Sequence, residues 1–475
     1  MREKPRPATV ESIFKIPRKN PLQLERRKNR MRLLLCCLAL LSASSLPANE
    51  WGQFRGPNGE GHATGAKNLP DNWSETDHVL WKGEIPGRGW SSPVFSQSTI
   101  WLTTAIEERL DEAALEKIRA QKLAQNPQAK EMQVVGNVTL HAIGIDAATG
   151  KIVNNIELFK VTDLDPIHAL NSFASPTPVL DGSRLYCHFG ELGTACVDTD
   201  SGEILWKGHL SSKHSVGPGS SPILYGDLFI VPCDGTDLQY VVALNKLTGE
   251  QVWKTNRPPM KGTIGDLHKA FSTPLLVKMD GGDQIIIPGA QWVVAYDPRD
   301  GYEIWRVSYG EGFSNVPRPI AGHGMAYICT GFMSPQLWAI NLDGRGDVTK
   351  THVKFKIPKQ VPSTPSPVLV NDQLYFVSDQ GVATSVDAVT GEAVWTRRLA
   401  GNYSSSPLYA DGKLYFCSHE GKTTIIRPGR EYQEVAVNSL DGQLMASPAV
   451  FEESLLFRSQ SHLYRIGGKA PPKAE

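Results

Sequence analysis

The sequence predicts an all-β chain folded as an eight-bladed β-propeller. Three observations predict it: a unit of about 40–50 residues recurs along most of the chain, each unit contains short segments of alternating apolar and polar residues, and turns rich in glycine and aspartate separate those segments. A four-stranded unit of this kind cannot bury both of its faces alone. We therefore expect the units to pack radially as blades of a closed ring.

A proline near the start of the first strand marks each unit. The eight are Pro93, Pro178, Pro222, Pro274, Pro319, Pro367, Pro407 and Pro448. Neighbouring prolines are 40 to 52 residues apart, except for a first gap of 85. We assign the excess to an insertion at about 106–137, in which EERLDEAALEKIRAQKLAQ predicts a helix with apolar residues at i, i+4 spacing.

A turn and a tryptophan recur at the end of the unit. The turn pairs an acidic or amide residue with a glycine, which suits a tight reversal; the first residues of these turns are Asp146, Asp198, Asn245, Asp297 and Asp387. The tryptophan follows in the fourth strand of four units as Trp206, Trp253, Trp305 and Trp395. We expect these rings to bury blade-to-blade contacts rather than to bind a ligand. Units one, five and seven lack this tryptophan and should pack differently.

The eighth unit contains only three strands, and the missing tryptophan strand occurs early in the chain, at 79–85. We expect this N-terminal strand to complete the last blade and so remove the two exposed edges of an open array. The chain then divides into a leader at 1–48, an N-terminal arm at 49–78, the propeller at 79–468 and a tail at 469–475.

Residues 1–48 have the layout of a secretory signal. Basic residues precede the apolar run 33–41, and small residues follow it up to Ala48, near which we expect cleavage. This predicts a periplasmic or secreted protein without a transmembrane segment in the mature chain. The alternatives to a cleaved leader are a membrane anchor or a buried helix, and lipidation at Cys36 is a further alternative. Translation could start at Met1 or at Met31, and a start at Met31 would give a compact leader.

Charge and cysteine content narrow the function classes. Residues 49–475 carry 38 basic and 46 acidic residues, which argues against a nucleic-acid partner. Cys187 and Cys196 flank the turn 190–193 symmetrically and form a candidate cross-strand disulfide, with buried free thiols as the alternative. The cysteine spacing fits neither structural zinc nor haem c, and the carboxylates of 234–237 fit a turn better than a metal site.

The repeated unit resembles the pyrroloquinoline quinone (PQQ) enzyme repeat. The residues that carry the resemblance are the serine- and proline-rich start of each unit, the Ala-hydrophobic-Asp strand end, the Thr-Gly turn and the tryptophan. WGQFRGPNGEG at 51–61 is similar to the start of secreted bacterial PQQ-binding-like β-propeller proteins. The resemblance covers roughly 51–467 and implies the propeller shared by quinoprotein alcohol dehydrogenases and the outer-membrane assembly lipoprotein BamB.

The resemblance leaves three functions open. Quinoprotein dehydrogenases add an adjacent Cys-Cys disulfide, a calcium held by carboxylate and amide, and a catalytic aspartate, whereas the one adjacent cysteine pair here is Cys36-Cys37 in the leader. We therefore favour a non-catalytic scaffold that binds an unknown small molecule or an envelope protein. The alternatives are an oxidoreductase that uses PQQ with calcium, and a BamB-like assembly factor.

Propellers bind ligands at the mouth of the central channel, so the residues just before the prolines are the candidates. They are Arg88, Trp90, Asn171, Phe173, His214, His268, Lys269, Asn315, Arg318, Asn402 and Tyr403. Arg88, Lys269 and Arg318 would form an anion pocket if their loops converge. Trp90 and Tyr403 would stack on a flat ring or a sugar. The alternative is that these side chains bond neighbouring loops and fill the channel.

Overall fold

The computed structural model describes residues 50–125 and 132–468; the predicted leader and tail lie outside the described residues. Eight antiparallel four-stranded blades form a ring, which confirms the predicted architecture. Within a blade the strands are called a to d from the central channel outwards. Strand a is three residues long in every blade, and strand d is more exposed than the inner strands in most blades, for example in Gln251–Asn256.

The strands of the first four blades follow one another along the chain. Blade 1 contains Val94–Ser96, Thr99–Glu107, Val138–Asp146 and Ile152–Val161. Blade 2 contains Val179–Asp181, Arg184–His188, Thr194–Asp198 and Ile204–Gly208. Blade 3 contains Ile223–Tyr225, Leu228–Asp234, Gln239–Asn245 and Gln251–Asn256. Blade 4 contains Leu275–Val277, Gln284–Pro288, Trp292–Tyr296 and Glu303–Ser308.

The remaining blades repeat the pattern, except that blade 8 takes strand d from the N-terminal part of the chain. Blade 5 contains Ile320–Gly322, Met325–Cys329, Leu337–Asn341 and Val353–Ile357. Blade 6 contains Val368–Val370, Gln373–Val377, Val382–Asp387 and Ala393–Arg398. Blade 7 contains Leu408–Ala410, Lys413–Cys417, Lys422–Arg427 and Gln433–Ser439. Blade 8 contains Ala449–Phe451, Ser454–Arg458, His462–Gly467 and Val79–Glu84.

A few short elements decorate the ring. The predicted insertion folds as the α-helix Glu112–Gln125, and no described helix is long and apolar enough to span a bilayer. A 3₁₀ turn precedes blade 4 at Gly265–His268. The accessory strands are Glu50–Trp51 beside blade 1, His62–Ala63 beside blade 7, Gly346–Asp347 beside blade 4, and the pair Met132–Gln133 with Ile167–His168.

The ring closes where the sequence predicts it. Val79–Glu84 pairs antiparallel with His462–Gly467, and Trp81 lies opposite Arg465. The Trp81 indole Nε1 donates to the Ala147 carbonyl of blade 1 at 2.8 Å. Blade 8 is therefore joined to blade 1 by a tryptophan N–H that donates to a carbonyl of the next blade. The same contact occurs between other blades of the ring.

That repeated contact explains the turn and the tryptophan together. In blade 2 the Trp206 Nε1 donates to the Lys246 carbonyl of blade 3 at 2.9 Å. The indole of Trp206 packs on Gly249, which has φ +76°. A Cβ at this position would overlap the indole. Trp253 and Trp395 likewise donate to a carbonyl of the next blade, and Trp305 packs in a core cluster shared with blade 5, so the tryptophans are blade-to-blade contacts, as predicted. In blade 5, which lacks the tryptophan, Phe355 covers Gly391 of blade 6 instead.

The strand register shows that the prediction of a Cys187–Cys196 disulfide was wrong. Cys187 pairs with Ala195, and Cys196 pairs with Tyr186, because the loop between strands b and c of blade 2 has an odd number of residues. The two side chains therefore point to opposite faces of the sheet and join two different core clusters, since successive side chains alternate. Both thiols are buried, and neither forms a disulfide with another described cysteine.

Candidate functional site

A cavity of about 400 Å³ lies on the axis of the ring. Its lining comes from the segments that lead into strand a of all eight blades. These segments meet at the centre because strand a is the innermost strand of every blade. The cavity is therefore built by the repeat itself rather than by one specialised loop.

A set of hydroxyl side chains surrounds the cavity, and each member belongs to the residue that immediately precedes the proline of its blade. The residue before each proline is serine or threonine in seven blades, and all seven line the cavity; they are Ser92, Thr177, Ser221, Thr273, Ser366, Ser406 and Ser447. We call this set the hydroxyl belt. Each of its side chains is at least nine-tenths buried.

The hydroxyl belt is linked from blade to blade. The backbone N–H of Ser92 donates to Thr177 Oγ1 at 2.9 Å, and the N–H of Thr177 donates to Ser221 Oγ at 2.9 Å. The same bond joins Ser221 to Thr273, Arg318 to Ser366, Ser366 to Ser406, and Ser406 to Ser447. The residue before a proline favours the extended conformation, which fits it to this position at the start of a strand.

Arg318 occupies the belt position of blade 5 and turns away from the cavity. Its Nη1 donates to the Phe54 carbonyl at 2.6 Å, and its Nε donates to the Pro274 carbonyl at 3.0 Å. Gly59 of the arm packs on the same guanidinium so closely that a Cβ there would overlap it. Arg318 therefore ties the N-terminal arm to the ring.

The arm crosses the end of the channel next to the a–b turns. Gly52 accepts from Leu180 N at 2.7 Å in blade 2, and Gly61 accepts from Tyr409 N at 2.8 Å in blade 7. Between these points Phe54 contributes to the cavity lining. The arm thus closes this end of the channel and makes Phe54 the floor of the cavity.

Two buried guanidinium groups hold the arm in place. Arg55 Nη2 donates to the Pro367 carbonyl at 2.8 Å. Burial, and then the neighbouring Arg318 charge, lower the pKa of Arg55 to about 9. Burial also lowers the pKa of Arg318 to about 10. Both groups stay charged at neutral pH, and the Glu60 carboxylate offsets part of the cost of burying them.

The opposite end of the cavity is apolar and open. Phe313 and Phe332 meet edge to face with ring centroids 6.1 Å apart, and Phe332 is 53% exposed. Trp90 and Phe271 also line the cavity. Lys269 is the one lysine or arginine among the described lining residues, and its Nζ donates to Asp266 Oδ1 at 2.8 Å and to Ser215 Oγ at 2.7 Å.

Three of the sequence-predicted site residues line this cavity. Trp90 donates its indole N–H to the Leu170 carbonyl at 3.1 Å, and Asn171 donates to the Val216 and Pro218 carbonyls. Lys269 is the third. These residues bond the neighbouring loops and also present a surface to the cavity.

The other predicted residues lie elsewhere. Arg88 donates to the carbonyls of residues 169 and 171, and Arg318 binds the arm, so the structure does not bring Arg88, Lys269 and Arg318 together. The remaining predicted residues bond local groups or fill the core outside the cavity lining: Phe173, His214, His268, Asn315, Asn402 and Tyr403.

Sequence reasoning missed the hydroxyl belt although a signal for it was present. The candidate list favoured large and charged side chains near the prolines, whereas the recurring feature is the small hydroxyl residue immediately before each proline. The single exception at Arg318 marks the blade that anchors the arm.

The fold and the cavity define a repeat propeller with an axial cavity that is open at one end, and the comparisons with known proteins place it in a family. The sequence profile described as "Outer membrane protein assembly factor BamB" matches residues 73–288 and 289–445. The chain belongs to that family. A curated relative of the same name from Marinobacter adhaerens is 25% identical over 111 residues, which span 23% of this chain and 28% of the relative.

Solved structures share the fold at low sequence identity. A quinohemoprotein alcohol dehydrogenase from Pseudomonas putida aligns with a TM-score of 0.57 and 10% identity, over 90% of this chain and 82% of that one. A europium-containing methanol dehydrogenase aligns with a TM-score of 0.56 and 11% identity, over 88% of this chain and 91% of that one. These likenesses show the propeller fold alone.

The cavity lining does not fit a calcium-bound quinone. Such a site needs carboxylate and amide oxygens around the metal, but no Asp or Glu is among the described lining residues. The one lining amide, Asn171, already uses its oxygen to accept from Ser172 N and Ser175 Oγ. The described residues also contain no cluster of three His, Cys, Asp or Glu suited to a metal ion.

Proposed function

We propose that the protein is a non-catalytic binding scaffold of the bacterial envelope, and that the axial cavity is its binding site. The observation that supports this most is the one-ended cavity: the arm closes one end at Phe54, and apolar side chains surround the open end. Concave, largely apolar pockets with a few polar groups are the usual form of a small-molecule site. An envelope location agrees with the predicted leader and with the family.

Binding at the cavity can be measured with a neutral apolar dye. We expect N-phenyl-1-naphthylamine to bind the full chain at one saturable site, seen as fluorescence enhancement. Val216→Trp places a large ring in the cavity wall and should weaken binding at least tenfold. Val437→Trp is the matched control, because Val437 lies half-exposed on strand d of blade 7. Equal binding by both variants would contradict the proposal.

The oxidoreductase alternative has its own readout. The protein is incubated with PQQ and calcium, and the reduction of an electron-accepting dye is followed with alcohols and sugars as substrates. The scaffold proposal predicts no reduction above a heat-denatured control. Saturable, substrate-dependent reduction would overturn it.

A second candidate function, assembly of outer-membrane proteins, is favoured by the family and by the apolar rim. Phe332 and Met333, in the b–c loop of blade 5, are 53% and 74% exposed. Such a rim suits an unfolded apolar segment of a client protein. If this function operates, the chain should slow the aggregation of an outer-membrane β-barrel protein diluted from urea. Phe332→Asp with Met333→Asp should remove the effect, and Val437→Asp should not.

A further inference from the structure

The hydroxyl belt carries donor protons for which the structure provides no acceptor. Six of its seven oxygens already accept a backbone N–H from the neighbouring blade. None of the seven donates its own proton to another group in the described part of the chain. A hydroxyl that uses a lone pair to accept remains free to donate. The belt therefore has O–H groups that are free to donate, and we infer that they donate into the cavity that these residues line.

Ser92 adds an independent observation. Its side chain lines the cavity and is 1% exposed, and its Oγ has no hydrogen-bond partner among the residues that the structure describes. An unsatisfied buried polar group is costly, and native proteins rarely keep one without a reason. A ligand atom that accepts from Ser92 and its neighbours would remove that cost.

The charges around the cavity indicate whether it would bind an anion or a cation. The lining contains the Lys269 ammonium, which is paired with the Asp266 carboxylate outside the lining, and no carboxylate lies among the described lining residues themselves. The Arg318 guanidinium is buried close behind, beside Phe54. A ring of O–H donors with buried cations favours an anionic acceptor over a cation.

We propose that the cavity binds a small amphipathic organic anion. Its carboxylate or sulfonate accepts hydrogen bonds from the hydroxyl belt, and its apolar body packs on Trp90, Phe271 and Phe313 toward the mouth. This inference rests on the proposed function, since it names the ligand class of the same cavity. It assigns the belt a binding role in addition to its links between blades.

Two dyes that differ by one group provide the test. 8-Anilinonaphthalene-1-sulfonate is N-phenyl-1-naphthylamine with a sulfonate added. We expect the full chain to bind the sulfonate dye at least tenfold more tightly than the neutral dye. Val216→Trp should weaken both, which locates the binding in the cavity.

Variants of the belt separate the head group from the apolar body. Ser221→Ala combined with Ser406→Ala should weaken the sulfonate dye at least tenfold and change the neutral dye less than twofold. Ser220→Ala combined with Ser405→Ala is the matched control, because these serines are adjacent, buried and absent from the lining. It should leave both dyes unchanged.

Two single variants of Thr273 provide a second test in case the double variant of the belt does not fold. Thr273→Ser retains the hydroxyl and should retain sulfonate binding, whereas Thr273→Val has nearly the same shape without it and should lose it. Equal affinity for the two dyes, or sulfonate binding that survives in Thr273→Val, would overturn the inference and leave the binding scaffold standing. If the wild-type protein did not bind the neutral dye at all, that result would instead refute the proposed function.

Discussion

Gly249→Ala tests the contact that joins one blade to the next. Gly249 has φ +76° in the c–d turn of blade 3, and an alanine Cβ would lie 2.8 Å from the Trp206 ring. An alanine in the left-handed region costs about 1–2 kcal/mol. Displacing Trp206 also loses its hydrogen bond to Lys246, which contributes about 1 kcal/mol, together with packing. We expect a loss of about 2–4 kcal/mol in the free energy of unfolding.

Gly226→Ala is the matched control in the same blade. Gly226 also has a positive φ, +55°, but nothing lies within 4 Å of a Cβ built there. It should therefore cost only the backbone strain, about 1–2 kcal/mol.

Urea unfolding followed by fluorescence and by circular dichroism measures both variants against the wild type. The difference between them is the packing of Trp206 against the next blade. Equal losses for the two glycines would refute the reasoning. So would a Trp206→Ala background in which Gly249→Ala costs as much as it does in the wild type.

Three further predictions concern the latch, a buried ion pair and pH. Trp81→Ala should destabilise the ring by about 3 kcal/mol in urea unfolding, since it removes the contact that closes blade 8 on blade 1. Arg257→Met should cost about 3–5 kcal/mol, because it leaves the buried Asp234 carboxylate without its partner at 2.6 Å; Arg299→Met, which removes an exposed guanidinium from its pair with Asp297, should cost far less in the same assay. Burial lowers the pKa of His214 to about 4, so between pH 6.5 and 4 the unfolded chain binds a proton that the folded chain excludes, and stability should fall by about 1.4 kcal/mol per pH unit. His214→Phe should reduce the dependence of the melting temperature on pH in that window but not abolish it, because burial also lowers the pKa of His188 to about 3; an unchanged slope would contradict this explanation.

The sequence predicted the parts of the fold that repeat. Strand lengths, turns and tryptophans recur at fixed spacing, so eight blades and a closing strand at 79–84 followed from local patterns. The helix in the insertion followed from the i, i+4 spacing of its apolar residues. The disulfide candidate failed because one extra loop residue shifts a strand register by one and turns every side chain to the other face.

The site was less predictable because it depends on non-repeating, long-range contacts. Arg55 bonds the carbonyl of Pro367, and nothing in the local sequence of the arm indicates that partner. The direction of Arg318 likewise follows from where the arm lies, not from its own blade. The hydroxyl belt was visible in the sequence, but the donor protons that it leaves free could only be counted from the structure.

The central claim is that the axial cavity is a ligand site reached from its open end, and cysteine accessibility tests it most directly. Ser404→Cys introduces a thiol into the lining, and Ser405→Cys introduces one beside it, buried and outside the lining. Labelling by a sulfonated methanethiosulfonate is followed by mass spectrometry over the wild-type background. We predict fast labelling of Ser404→Cys alone, blocked by saturating 8-anilinonaphthalene-1-sulfonate. Labelling of Ser404→Cys that the dye does not slow would contradict the claim.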